Sequence, residues 1–64
     1  MKLRELLETI GEDVRIRIFA GCITIFNGKK SNTSEKEWNL TVLPHMNSRV
    51  LNFREMNGSM NILI

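Results

Sequence analysis

Apolar and polar residues along this chain fall into four blocks, each with its own period. In Lys2–Ile10, Leu3, Leu6, Leu7 and Ile10 recur at i, i+3, i+4 and i+7, the single stripe of an amphipathic helix. Gly11 follows where a left-handed C′ residue would end it. Val14–Phe19 alternates strictly, with Val14, Ile16 and Ile18 on one face and Arg15, Arg17 and Phe19 on the other, which predicts a half-buried strand. Cys22–Phe26 is its expected hairpin partner across an Ala20-Gly21 turn. That register sets Ile18 against Ile23, Ile16 against Ile25, Arg17 against Thr24 and Arg15 against Phe26. Alanine resists positive φ, so a longer loop with a bulge is the alternative at this tip.

The closing block, Arg49–Ile64, carries the strongest turn signal, Asn57-Gly58. A type I′ turn needs positive φ at both central residues, and Asn followed by Gly tolerates this best. A two-residue loop pairs Met56 with Ser59, Phe53 with Ile62 and Leu51 with Ile64. Leu51, Phe53, Met60, Ile62 and Ile64 then share one face, and Asn52, Arg54, Asn61 and Leu63 the other, with Met56 beside them. Between the hairpins, Asn27–Ser34 (NGKKSNTS) predicts a polar surface loop. Ser34 and Glu37 form an S-x-x-E capping box that starts a short second helix near Glu35, with Trp38, Val42 and Leu43 inward. Thr41 and Val42 are β-branched, so Leu40–Leu43 reads as helix or strand, and Pro44 ends the element.

The predicted fold is therefore α+β in a single domain, 1–64. An N-terminal helix packs on one antiparallel sheet of two β-hairpins, with a short second helix between them. The order of the hairpins in the sheet is not legible. At 64 residues the core is thin, and a homodimer is a natural way to bury more apolar surface. Cys22 is the only cysteine, so no intramolecular disulfide is available. This, with an opening that lacks an unbroken apolar h-region, fits a reducing, cytoplasmic setting. No apolar run approaches the roughly 20 residues of a membrane span, and no membrane partner is expected.

Chemistry is sparse. The one histidine, His45, and the one thiol, Cys22, fall on different elements, and two such residues cannot supply a structural zinc site. The pairs Glu12-Asp13 and Glu35/Glu37 sit at element ends, where acidic residues ordinarily cap or solvate. Gly28-Lys29-Lys30-Ser31 fails the phosphate-loop pattern, because Ile23 stands where it needs Gly and Lys30 where it needs Ser or Thr. The expectation is a non-enzymatic protein with no cofactor and no metal. Nine Lys/Arg against seven Asp/Glu give only +2, but Glu5, Glu8, Glu12 and Asp13 cluster early whereas Arg15, Arg17, Lys29, Lys30, Arg49 and Arg54 come later. The expected partner-binding residues are Arg15, Arg17, Phe19, Phe26 and Arg54 on the outer sheet face, with Lys29 and Lys30 from the adjacent loop. Mixed cations and aromatics suit a protein partner. They also suit a nucleic-acid or nucleotide module that stacks bases and neutralises phosphates.

The KLRELLE helix, the DVRIRIF strand and a short polar helix before the last hairpin resemble small accessory proteins encoded by phages and mobile elements of Gram-positive bacteria. The likeness covers most of the chain and rests on structural motifs. The sequence departs from it at the basic Asn27–Ser34 loop and at Trp38. The resemblance brings no catalytic residues. It implies a small protein, cytoplasmic in the bacterial host cell, that binds and inhibits a host protein, as anti-CRISPR-type host-defence inhibitors do.

Overall fold

The computed structural model describes Met1–Ile64. Its elements are α1 (Leu3–Leu7), β1 (Arg15–Ala20), β2 (Ile23–Lys29), a 3₁₀ turn at Lys30–Asn32, α2 (Glu35–Thr41), a second 3₁₀ turn at Leu43–His45, β3 (Asn52–Met56) and β4 (Ser59–Leu63). The four strands form one sheet in the order β2-β1-β4-β3. Both hairpins are antiparallel, as the alternation predicts. They meet through a parallel β1–β4 pair, with Ile16 beside Met60 and Ile18 beside Ile62, so the sheet as a whole is mixed rather than antiparallel.

Helix α1 is shorter than its stripe. After Leu7 the chain tightens into i→i−3 bonds, Thr9 N–H to the Leu6 carbonyl (3.0 Å) and Ile10 N–H to that of Leu7 (3.2 Å). The Thr9 hydroxyl donates to the Leu6 carbonyl as well, at 2.7 Å. These bonds end the helix before Gly11, which is not among the positive-φ residues and makes no left-handed cap. The stripe still serves its purpose, since Leu3 and Leu6 are buried and Leu7 and Ile10 pack against the core. At the other end the Lys2 N–H donates to Glu5 Oε1 (3.1 Å). The N–H groups of Leu3 and Arg4 donate to the carbonyls of Ser48 (2.8 Å) and Met46 (3.0 Å). Donors that a helix N-terminus leaves free thus tie α1 to the loop before β3.

Helix α2 begins where the capping box predicts. Ser34 Oγ accepts from the Glu37 N–H at 3.1 Å, and Ser34→Ala should lower the unfolding free energy by about 1 kcal/mol, measured by denaturant titration. The Leu40–Leu43 alternative resolves as helix through Thr41, whose hydroxyl donates to the Glu37 carbonyl (2.8 Å). Pro44 then sits in the first turn of the 3₁₀ segment. Trp38 and Val42 are buried as predicted, whereas Leu43 is half exposed.

The core joins Leu3, Leu6, Ile16, Ile18, Phe26, Trp38, Val42 and Ile62, so both helices lie on one face of the sheet. Each such side chain contributes roughly 1.5–3 kcal/mol by burial. Coverage is incomplete, because Ile23, Leu51 and Phe53, all expected inward, are 68%, 67% and 48% exposed. The last hairpin keeps its predicted register from Met56–Ser59 to Asn52–Leu63, with Asn57 at φ 52° and Gly58 at φ 79°. It departs at Leu51, whose N–H donates to the Leu63 carbonyl (2.8 Å), while Ile64 N–H turns to Phe19 (2.8 Å). No helix is long and apolar enough to cross a membrane.

Candidate functional site

The first hairpin determines which side chains face outward. Its tip is Gly21-Cys22, not Ala20-Gly21. Gly21 takes φ 61° and Ala20 pairs with Ile23. One step inward, Phe19 pairs with Thr24 but Ile18 pairs with Phe26, so Ile25 is the extra residue of a β-bulge. The bulge reverses the alternation of β2 beyond it. Phe26, expected on the outer face opposite Arg15, turns into the core opposite Ile18 and is only 6% exposed. There its ring meets Trp38 edge-on, centroids 5.3 Å apart at 81°. The physical reason lies one residue further on. Without the bulge, Asn27 would point inward and Phe26 outward; with it, Asn27 and Lys29 reach solvent while Phe26 and Gly28 face the helices. Burying an aromatic ring and solvating an amide outweighs one disturbed step of the ladder.

The polar segment expected as a loop from Asn27 therefore starts as strand, and Lys29 stands beside Arg15. Across the sheet in the order β2-β1-β4-β3, the outer face reads as three rows. They are Lys29, Arg15, Ser59, Met56; then Asn27, Arg17, Asn61, Arg54; then Thr24, Phe19, Leu63, Asn52. Four cations occupy the first two rows, and no carboxylate shares them. Arg15 Nη1 donates to Asn27 Oδ1 at 3.2 Å, a diagonal contact that steers its guanidinium toward the second row. The third row is apolar at its centre, where Phe19 and Leu63 are half-buried. Next to them Asn52, Arg54, Met56 and Asn61 border a shallow groove of about 310 Å³.

Of the expected partner-binding residues, the fold brings together Arg15, Arg17, Phe19, Lys29 and Arg54. It separates Phe26, in the core, and Lys30, on the helix side, where its Nζ lies 5.2 Å from the Trp38 ring centroid. Lys30 and Trp38 border a second cleft of about 440 Å³ with Arg4, Leu7, Glu8, Glu12 and Met46. Its rim mixes two cations with two carboxylates, so it selects no sign of charge. Asn27 and Ser59 are outer-face residues that the sequence reading left out, and Asn27 is the one that touches a cation. Its signal was present in the continued alternation of Phe26-Asn27-Gly28-Lys29. Cys22 lies exposed in the β1–β2 loop and His45 in the second 3₁₀ turn, and no three His, Cys, Asp or Glu side chains cluster. No protein-family model, curated protein or solved structure matches this chain.

Proposed function

We propose that this protein acts by binding, docking its outer sheet face on an acidic surface of another protein and blocking that surface. The setting implied by the phage-type resemblance is a bacterial cytoplasm. There the partner is a host protein and the outcome is inhibition of a host defence, as with anti-CRISPR proteins. One observation carries the reading: Lys29, Arg15, Arg17 and Arg54 stand in two adjacent rows with no carboxylate among them. Such a surface raises the encounter rate with an anionic partner and fixes its orientation. Phe19, Leu63 and the groove beside them supply the apolar anchor that protein interfaces concentrate at their centre.

The same cations favour a second reading, a nucleic-acid or nucleotide module. Loss of Phe26 from the face weighs against it. Single-strand binders stack successive bases on aromatic side chains, and only Phe19 remains for that. A pull-down with Arg17→Glu/Arg54→Glu beside the native chain separates the readings. The protein reading expects one stoichiometric protein that survives nuclease, is lost in the double variant, and leaves the circular dichroism unchanged. Undiminished capture by the variant would refute the assigned surface. Nucleic acid as the sole eluate, with log affinity falling linearly with log salt, would promote the second reading.

A further inference from the structure

The two edges of the sheet differ. The β2 edge is blunted by the bulge at Ile25 and closed at Lys29, whose carbonyl accepts the Thr33 hydroxyl at 2.7 Å. Bulges and lysines are the usual protection of an edge strand. The β3 edge has neither along Asn52–Met56, only the single charges of Arg54 and Glu55 on opposite faces, and all five of its residues are exposed. Counting back from the hydrogen-bonded Met56–Ser59 pair that closes the two-residue turn, Asn52, Arg54 and Met56 point their backbone groups at β4. Phe53 and Glu55 then point theirs outward. The Phe53 ring, opposite Ile62 on the core-side face, is uncovered by either helix.

We propose that this edge pairs with the β3 edge of a second copy of the chain, antiparallel about a two-fold axis between the two Phe53 residues. Symmetry and charge together select that register. A two-fold axis perpendicular to the sheet must run midway between one residue and its own copy, placing that residue opposite itself. Centred on Arg54 the axis sets two guanidiniums face to face, and centred on Glu55 it sets two carboxylates so; like charges directly opposite are destabilising. Centred on Asn52 or Met56 it falls on a residue whose backbone groups face β4, and it runs the ladder onto the committed Leu51 or into the Asn57-Gly58 turn. Centred on Phe53 it pairs the two rings and sets Arg54 against Asn52 of the other copy. It also uses the outward N–H and C=O of Phe53 in reciprocal hydrogen bonds. The pairing ends at Leu51, whose N–H is already committed to Leu63. An axis of this kind keeps both outer faces on one side, so the dimer presents one platform with both sets of cations.

The test is sedimentation equilibrium combined with a symmetric disulfide trap in a Cys22→Ser background. The native chain should sediment at twice its 7.4 kDa. Residues directly opposite in a hydrogen-bonded pair lie about 5.5 Å apart at Cα, within disulfide reach. Phe53→Cys should therefore cross-link on mild oxidation. Met56→Cys, whose copies would stand about 20 Å apart at about 3.4 Å per residue, should not. Phe53→Asp should give a monomer with native circular dichroism. A native chain that stays at 7.4 kDa would overturn the proposal, as would a dimer that cross-links through position 56 and not 53.

Discussion

Phe26→Ala should destabilise the protein by about 3–5 kcal/mol, the cost of deleting a buried aromatic ring and leaving its cavity. Phe19→Ala, at the half-buried centre of the outer face, should cost far less. The buried site stacks its losses: the ring is 6% exposed, lies opposite Ile18 and meets Trp38 edge-on. A domain of this size has little stability in reserve, so the Phe26 variant should be largely unfolded at 25 °C. Urea titration followed by circular dichroism reads both variants. Equal losses would mean that the bulge is absent and that Phe26 shares the outer face with Phe19. The contrast also protects the functional test, because a Phe26 substitution would abolish partner capture simply by unfolding the chain.

Ile62→Ala should cost about 2–5 kcal/mol and show the same collapse in the titration. Ile62 is fully buried and sits on a central strand, between Ile18 of β1 and Phe53 of β3. Its removal opens the core at the one seam that joins the two hairpins. Ile23→Ala removes a side chain of the same size that is 68% exposed at the sheet edge, and should shift the midpoint only slightly. If Ile62→Ala were as mild as Ile23→Ala, the parallel β1–β4 contact would not be the structural joint.

Where local chemistry has a single solution, it was legible in the sequence. Asn57-Gly58 admits a type I′ turn and little else, so the last hairpin emerges in register as far as Asn52. Ser34 and Glu37 place the start of α2 because a hydroxyl three residues before a free N–H is the commonest way to satisfy it. The first hairpin was ambiguous because Ile23, Ile25 and Phe26 put apolar side chains on both parities of β2, so either register buries something. What decides is non-local: the space that Trp38 offers to a ring, and the cost of turning Asn27 inward. The candidate site inherits that ambiguity. Arg15, Arg17 and Phe19 follow from the alternation of β1, and Arg54 from the register that the Asn57-Gly58 turn imposes, whereas Phe26 and Lys30 fall in the segment that the bulge reorganises. The order of the hairpins was illegible for a simpler reason, since no turn or cap encodes which strands from distant blocks lie side by side.

The β1–β4 pair also governs how the chain reaches its fold. Each hairpin can close from neighbouring residues, but Arg15 must find Ser59, forty-four positions further along, before the central seam exists. That search costs loop-closure entropy that no local contact offsets in advance. During synthesis α1 and the first hairpin emerge before their neighbour β4, with the edge of β1 that β4 will pair still open. Substitutions along the β1–β4 seam should slow refolding, while those at the Asn57-Gly58 turn should act on a hairpin that forms on its own.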